Sequence, residues 1–147
     1  MTSKKKRRVF SWEEANGLLP ELERLLRRLQ QKKEIYTRTH DALFMHELVC
    51  VAEKSRGFLD PCDDLEAGIH VLEEAIEDLA KDVEMIFATG ALLRNIERGR
   101  VDLPGELDGQ RIYFSWEAGE PRIRFYRLRG ELPEERRELP ARLISRG

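Results

Sequence analysis

The sequence predicts an α+β protein: a long antiparallel helical hairpin of coiled-coil character, preceded by a short capped helix and followed by a small antiparallel β-sheet. Three observations predict it. Leu65, Ile69, Leu72, Ile76, Leu79, Val83 and Ile86 recur at spacings of four and three, which gives an α-helix one apolar seam. An earlier series, Leu22, Leu29, Tyr36, Leu43 and Cys50, steps by seven and offers a matching seam. Beyond Gly99 the period changes to two, apolar alternating with polar, as in strands with one buried face.

The elements follow in order. Residues 1–9 read as a basic disordered arm carrying Lys4, Lys5, Lys6, Arg7 and Arg8. Ser11 and Glu14 form a capping box, with Phe10 where a hydrophobic staple starts, so a helix begins at about Trp12. Pro20 removes a backbone donor and crowds the preceding turn, which predicts a short helix of two turns and then a kink or restart. The hairpin covers about 12–89. Its second helix opens with Asp60 as N-cap and Pro61 at the first helical position, and ends at Gly90. If the chain folds back near Gly57, partners sum to about 115. Leu22, Leu29, Tyr36, Leu43 and Cys50 then face Leu93, Ile86, Leu79, Leu72 and Leu65.

The sheet covers about 91–128, with strands in "GRVDLP", "RIYFSW" and "RIRFYRL". Alternation places Ile112, Phe114 and Trp116 on one face, joined by Ile123 and Phe125. Arg111, Tyr113, Arg122, Arg124 and Tyr126 then take the other face. Residues 10–130 form one domain, and 131–147 a polar tail or short helix. Apolar flanks at Ile35, Phe44, Val49, Val71 and Phe87 are left over from the hairpin. The sheet or a second copy of the chain must cover them, and a homodimer is expected.

The 147 residues have a net charge of −2, unevenly distributed: residues 60–90 hold ten acids against Lys81 alone. In the hairpin register Arg24, Arg27, Arg28, Lys32 and Lys33 run beside the acidic residues, including Asp82 and Glu84, so internal pairing accounts for the acidic segment. No apolar run reaches the roughly 20 residues that cross a bilayer, and no apolar stretch follows the basic start. A soluble, cytoplasmic protein without a membrane partner is expected, with Cys50 and Cys62 as free thiols.

Several segments together resemble a bacterial and archaeal family catalogued as domain of unknown function 2203. These are "FSWEEANGLLPEL" (Phe10 to Leu22), Gly-x-x-x-Arg at Gly90 to Arg94 leading into "GRVDLP", then "DGQRIYFSW" and "GEPRIRFY". The resemblance implies the same hairpin and small sheet and brings no established activity. Members of that family commonly continue into Trp-His-Glu and then Gly-Phe-x-Gly-Arg. Here the gapless counterpart of Trp-His-Glu is Tyr126, Arg127 and Leu128, and of the later motif only Arg136 is kept.

Three functional readings compete. The first is a non-enzymatic, self-associating interaction or regulatory module, resting on the seam and the surplus apolar flank, with no cofactor and an unspecified protein partner. The second is nucleic-acid binding by the Arg111, Tyr113, Arg122, Arg124 and Tyr126 face with the Lys4–Arg8 arm, cations and aromatics together suiting single strands. The third is a metal site for zinc or iron. His46 and Cys50 stand four apart on a helix, and "MHELVC" stops one residue type short of His-Glu-x-x-His. Glu66, His70, Glu73 and Glu77 form a second stripe that a dimer would duplicate. No Gly-rich phosphate loop occurs, and no serine has a His/Asp grouping near it in sequence, so an enzyme is not the favoured reading.

Overall fold

The structure, a computed structural model, describes residues 9–57 and 65–144. The arm from Lys4 to Arg8, the cap residues Asp60 and Pro61, and Cys62 lie outside the described residues. The helices are α1 (Trp12–Gly17), α2 (Leu19–Ser55), α3 (Leu65–Ala88) and α4 (Ala141–Ile144). The strands are β1 (Leu92–Asn95), β2 (Arg100–Leu107), β3 (Gln110–Glu117), β4 (Phe125–Leu128) and β5 (Arg137–Glu138).

The expected capping box opens α1. The Ser11 hydroxyl accepts from the Glu14 N–H at 3.0 Å, and the Glu14 carboxylate accepts from the Ser11 N–H at 2.8 Å. The chain then restarts, as Pro20 requires, with Leu18 between the two helices. Pro20 becomes the second residue of α2, where its missing N–H costs no intrahelical bond.

The chain divides into two compact units, with boundaries between Gln30 and Gln31 in α2 and between Asp82 and Val83 in α3. In the first unit the five strands are all antiparallel, in the order β1-β2-β3-β4-β5. Asp108 and Gly109 form the two-residue turn between β2 and β3, both with positive φ, as a tight hairpin of matching twist demands. Val101, Leu103, Ile112, Phe114 and Trp116 bury one sheet face together with Phe10, Trp12, Leu22, Leu25, Leu26, Leu29, Ile86 and Ile123. Gly105 belongs to this face: a Cβ there would stand 2.3 Å from the Phe114 ring, so the ring occupies the space that the glycine leaves. The Trp12 indole donates to the Ile123 carbonyl at 2.9 Å, and the Asn16 amide oxygen accepts from the Ile123 N–H at 2.8 Å.

Two sheet expectations are corrected. Phe125 pairs with Ser115, and Tyr126 with Phe114, so Tyr126 shares the apolar face while Phe125 takes the opposite one. The segment between Glu117 and Phe125 bends at Pro121 and keeps Ile123 and Arg124 out of the strand. One residue of irregularity inverts every face assignment after it. The sheet also continues past 128: residues 131–138 return across it and add β5, and only then does the short helix α4 follow.

In the second unit α2 and α3 run antiparallel. Lys32 Nζ reaches Asp78 at 2.7 Å and Asp82 at 3.0 Å, and Leu43 packs against Gly68. These partner numbers sum to between 110 and 114, near the expected 115. Of the seam, Leu72 is buried and Leu65 and Leu79 are half-buried. Ile69 and Ile76 remain 46% and 51% exposed. Cys50 is buried and takes part in a disulfide, which corrects the expectation of free thiols.

Candidate functional site

The polar face of the sheet is where the expectation and the structure differ most. Opposite positions in an antiparallel ladder share a face, so Asp102, Ser115 and Phe125 stand together, with Tyr113 and Arg127 one pair along. Asp102 is fully buried. Its Oδ2 accepts from Arg94 Nε at 2.9 Å and from Arg127 Nε and Nη2 at 3.0 and 2.7 Å. Its Oδ1 has no donor among the described residues. A carboxylate removed from water is tolerable only with charged, hydrogen-bonded partners, and two guanidiniums supply them.

Both cations also lean on one aromatic ring. The Arg127 guanidinium carbon lies 4.7 Å and that of Arg94 5.6 Å from the Tyr113 ring centre, within cation–π range. Tyr113 is therefore engaged on its π-surface by the chain's own arginines. Arg136 closes the next part of the face. It donates to both Glu120 oxygens at 2.9 and 2.7 Å, to the Ser115 hydroxyl and carbonyl, and lies 4.2 Å over the Phe125 ring. Burial pushes the Glu120 carboxyl up, but the Arg136 hydrogen bonds, the Glu117 N–H to its oxygen, and the charges of Arg136 and Arg100 outweigh this and hold it below its ordinary value.

Along β2, Arg100 donates to Glu117 at 2.8 Å and to the Pro133 carbonyl at 2.9 Å, and Arg98 approaches the same Glu117 oxygen at 3.4 Å. The segment after β4 covers the arginines with its own carbonyls, since the Glu131 carbonyl also accepts from Arg127. The Glu131 carboxyl is held down to about 2, first by the Arg137 guanidinium and then by the Leu128 N–H.

The residues expected to bind nucleic acid are thus dispersed. Arg111, Arg122 and Arg124 are exposed, Tyr113 lies under arginines, and Tyr126 shares the apolar face. Lys4, Lys5, Lys6, Arg7 and Arg8 lie outside the described residues. Of the candidate metal ligands, His46 Nε2 is 3.8 Å from Cys50 Sγ, but an oxidised sulfur offers no thiolate. His70 pairs with Glu74 at 3.0 Å and with Glu73 at 3.9 Å on an exposed stretch of α3 that also carries Glu66 and Glu77. Among the described residues no three His, Cys, Asp or Glu side chains converge to hold an ion.

The residues that the sequence reading did not single out as a site are Asp102, Arg100, Glu117, Glu120 and Arg127. One signal pointed to them: Asp102 interrupts an apolar strand between Val101 and Leu103, where an acid on a sheet face calls for a cation across the ladder. The structure gives Arg127, the counterpart of the histidine in Trp-His-Glu, a place on buried Asp102 beside Arg94 of Gly-x-x-x-Arg, with Arg136 on the same face.

A second surface lies on the hairpin. Phe44, Leu48, Val51, Ile69 and Ile76 are each about half exposed. At about 100° per residue, Phe44, Leu48 and Val51 sit roughly 100–140° onward from Leu43 and Cys50, and Ile69 and Ile76 roughly 40–60° onward from Leu65, Leu72 and Leu79. In an antiparallel pair the same sense of rotation on both helices opens onto one side. On the opposite side a groove of about 180 Å³ is lined by Ile35, Tyr36, Val71 and Ala75, with Lys32 and Asp78 also contributing.

A family model described as an uncharacterized conserved protein, DUF2203, matches residues 8–139. Neither the curated proteins nor the solved structures contain a match to this chain.

Proposed function

The chain belongs to the DUF2203 family, and on that premise we propose that it is a non-enzymatic interaction module that pairs with a second copy of itself through its helical hairpin. The observation that carries this reading is the apolar side of the hairpin formed by Phe44, Leu48, Val51, Ile69 and Ile76. Half-exposed side chains of this size present roughly 100 Å² each, so two such faces bring together on the order of 1,000 Å². That equals the lower bound for a specific interface before the polar rim is added, and the roughly 500 Å² on each copy is the size of patch that is often functional. The self-complementary occupant is favoured because both helices contribute to the face, so that two copies related by a two-fold axis form a four-helix bundle.

The guanidinium-rich sheet face supports the same assignment from the other side. Its acids and bases are largely engaged with one another, which suits a rigid platform better than proton transfer.

Sedimentation equilibrium between about 1 and 100 µM tests the proposal. A dimer is expected for the parent chain, and a monomer with unchanged helical circular dichroism for Phe44→Glu/Ile76→Glu, both residues being exposed in the isolated hairpin. A parent chain that stays monomeric across that range, or a double variant that still dimerises with the parent's affinity, refutes it.

A further inference from the structure

The turn between β1 and β2 carries a feature that self-association does not use. A notch of about 80 Å³ is lined by Arg94, Asn95, Arg98, Arg100, Pro133 and Glu134. That volume has room for several waters or for one tetrahedral oxyanion. Behind it, four guanidiniums share two carboxylates: Arg94 and Arg127 meet on Asp102, and Arg98 and Arg100 on Glu117. Both carboxylates are approached through one oxygen only, Oδ2 and Oε1 respectively. Two positive charges are left over, and Glu134 at the notch offsets one of them.

The donors are as informative as the charge. Arg94 and Arg98 each direct Nε at a carboxylate, and among the described residues their terminal nitrogens have no hydrogen-bond partner. The Asn95 side-chain oxygen accepts from the Arg98 N–H at 3.0 Å, so its amide nitrogen remains a donor. Arg100, whose side chain is only 7% exposed, forms a fixed charged wall, clamped by Glu117 and the Pro133 carbonyl. The turn itself is held: Gln30 Nε2 donates to the carbonyls of Ile96 and Glu97 at 2.9 and 3.2 Å. Forked donors on a rigid frame with a surplus of positive charge form an anion site, and the planar guanidinium matches phosphate oxygens two at a time.

We propose that this notch binds the phosphate group of a small phosphomonoester. Its oxygens take up the idle Arg94, Arg98 and Asn95 donors, and its negative charge meets the positive charge that remains after Glu134. A phosphodiester has two of its oxygens blocked and fits the same donors less well.

The test uses the full chain and inorganic phosphate, titrated by calorimetry at pH 7.5 against sodium chloride at constant ionic strength. Binding is expected, weakened at least about fivefold in Arg98→Ala and unchanged in Arg111→Ala, an exposed arginine away from the notch. Glu134→Gln removes the opposing charge and is expected to tighten binding about two- to threefold, a gain that a damaged fold cannot produce. Phosphoserine should compete with phosphate, and a twelve-residue oligothymidylate should not. No heat above the chloride control, equal affinity in the parent and Arg98→Ala, or displacement by the oligonucleotide alone would each overturn the assignment.

Discussion

Replacing Arg127 with Met tests how the polar sheet face is held. The substitution keeps an unbranched side chain over Tyr113 but removes the guanidinium that places two donors on Asp102 at 2.7 and 3.0 Å. Asp102 stays fully buried, with Arg94, itself 30% exposed, as its remaining cation. Removing one partner of a buried pair costs about 3–5 kcal/mol, and the surviving Arg94 contact places the expected loss near the lower figure. That is a large part of the roughly 5–15 kcal/mol that stabilises a folded domain. At about 2–4 °C per kcal/mol for a chain of this size, Tm should fall by roughly 6–12 °C. Urea unfolding followed by tryptophan fluorescence reports it directly, because Trp12 and Trp116 are both buried in the unit that contains the sheet. The double variant Asp102→Leu/Arg127→Met leaves no uncompensated carboxylate. Its loss should be smaller than the sum of the two single losses by about 2 kcal/mol or more, since contacting pairs are not additive. An Arg127→Met chain within about 0.5 kcal/mol of the parent, or a strictly additive double variant, refutes the coupled-pair account.

Gly105→Ala should destabilise the same unit by about 1–3 kcal/mol, because the new Cβ would fall 2.3 Å from the buried Phe114 ring. The same urea titration measures it, with Gly17→Ala, where a Cβ meets nothing within 4 Å and φ is ordinary, as the substitution without a clash. Glu131 sets an acid limb. Its folded value of about 2 lies below the ordinary 4.5, so its contribution is present above pH 4.5 and is lost as pH falls toward 2. The stability difference between the parent and Glu131→Gln should therefore narrow over that interval, and a constant difference from pH 5 to pH 2 would exclude Glu131 as its source.

What could be read in the sequence follows from the range of the forces involved. The capping box and the Pro20 restart are set by neighbours in the chain and are found. Of the basic stretch expected beside the acidic helix, Lys32 meets Asp78 and Asp82, whereas Arg24 and Arg27 pair with Glu21 and Glu23 of their own helix. β4 failed because face assignment accumulates residue by residue, and the bend at Pro121 breaks the count before Phe125. β5 and the cover over the arginines failed for another reason. A stretch such as "ELPEERRELP" has no apolar alternation, and its order comes from the Pro133 carbonyl on Arg100, Glu131 on Arg137 and Arg136 on Glu120, arginine hydrogen bonds and ion pairs that leave no periodic trace. The candidate site was visible only in fragments. Arg94 and Arg136 lay in motifs, whereas Asp102, the residue that gathers Arg94 and Arg127, looked like one acid among ten in residues 91–147.

The shared carboxylate oxygen of Asp102 has a consequence for how this sequence can drift. An apolar layer accepts single exchanges of similar volume, each nearly independent of the next. Here two arginines and one acid meet at one atom. Losing Asp102 leaves two cations without their anion, and losing either arginine leaves a buried carboxylate with one partner instead of two, so a change at one of the three is best tolerated together with a change at another. The positions that move together with Arg127 should therefore be sought among those it touches: Asp102, Tyr113 and the Glu131 carbonyl.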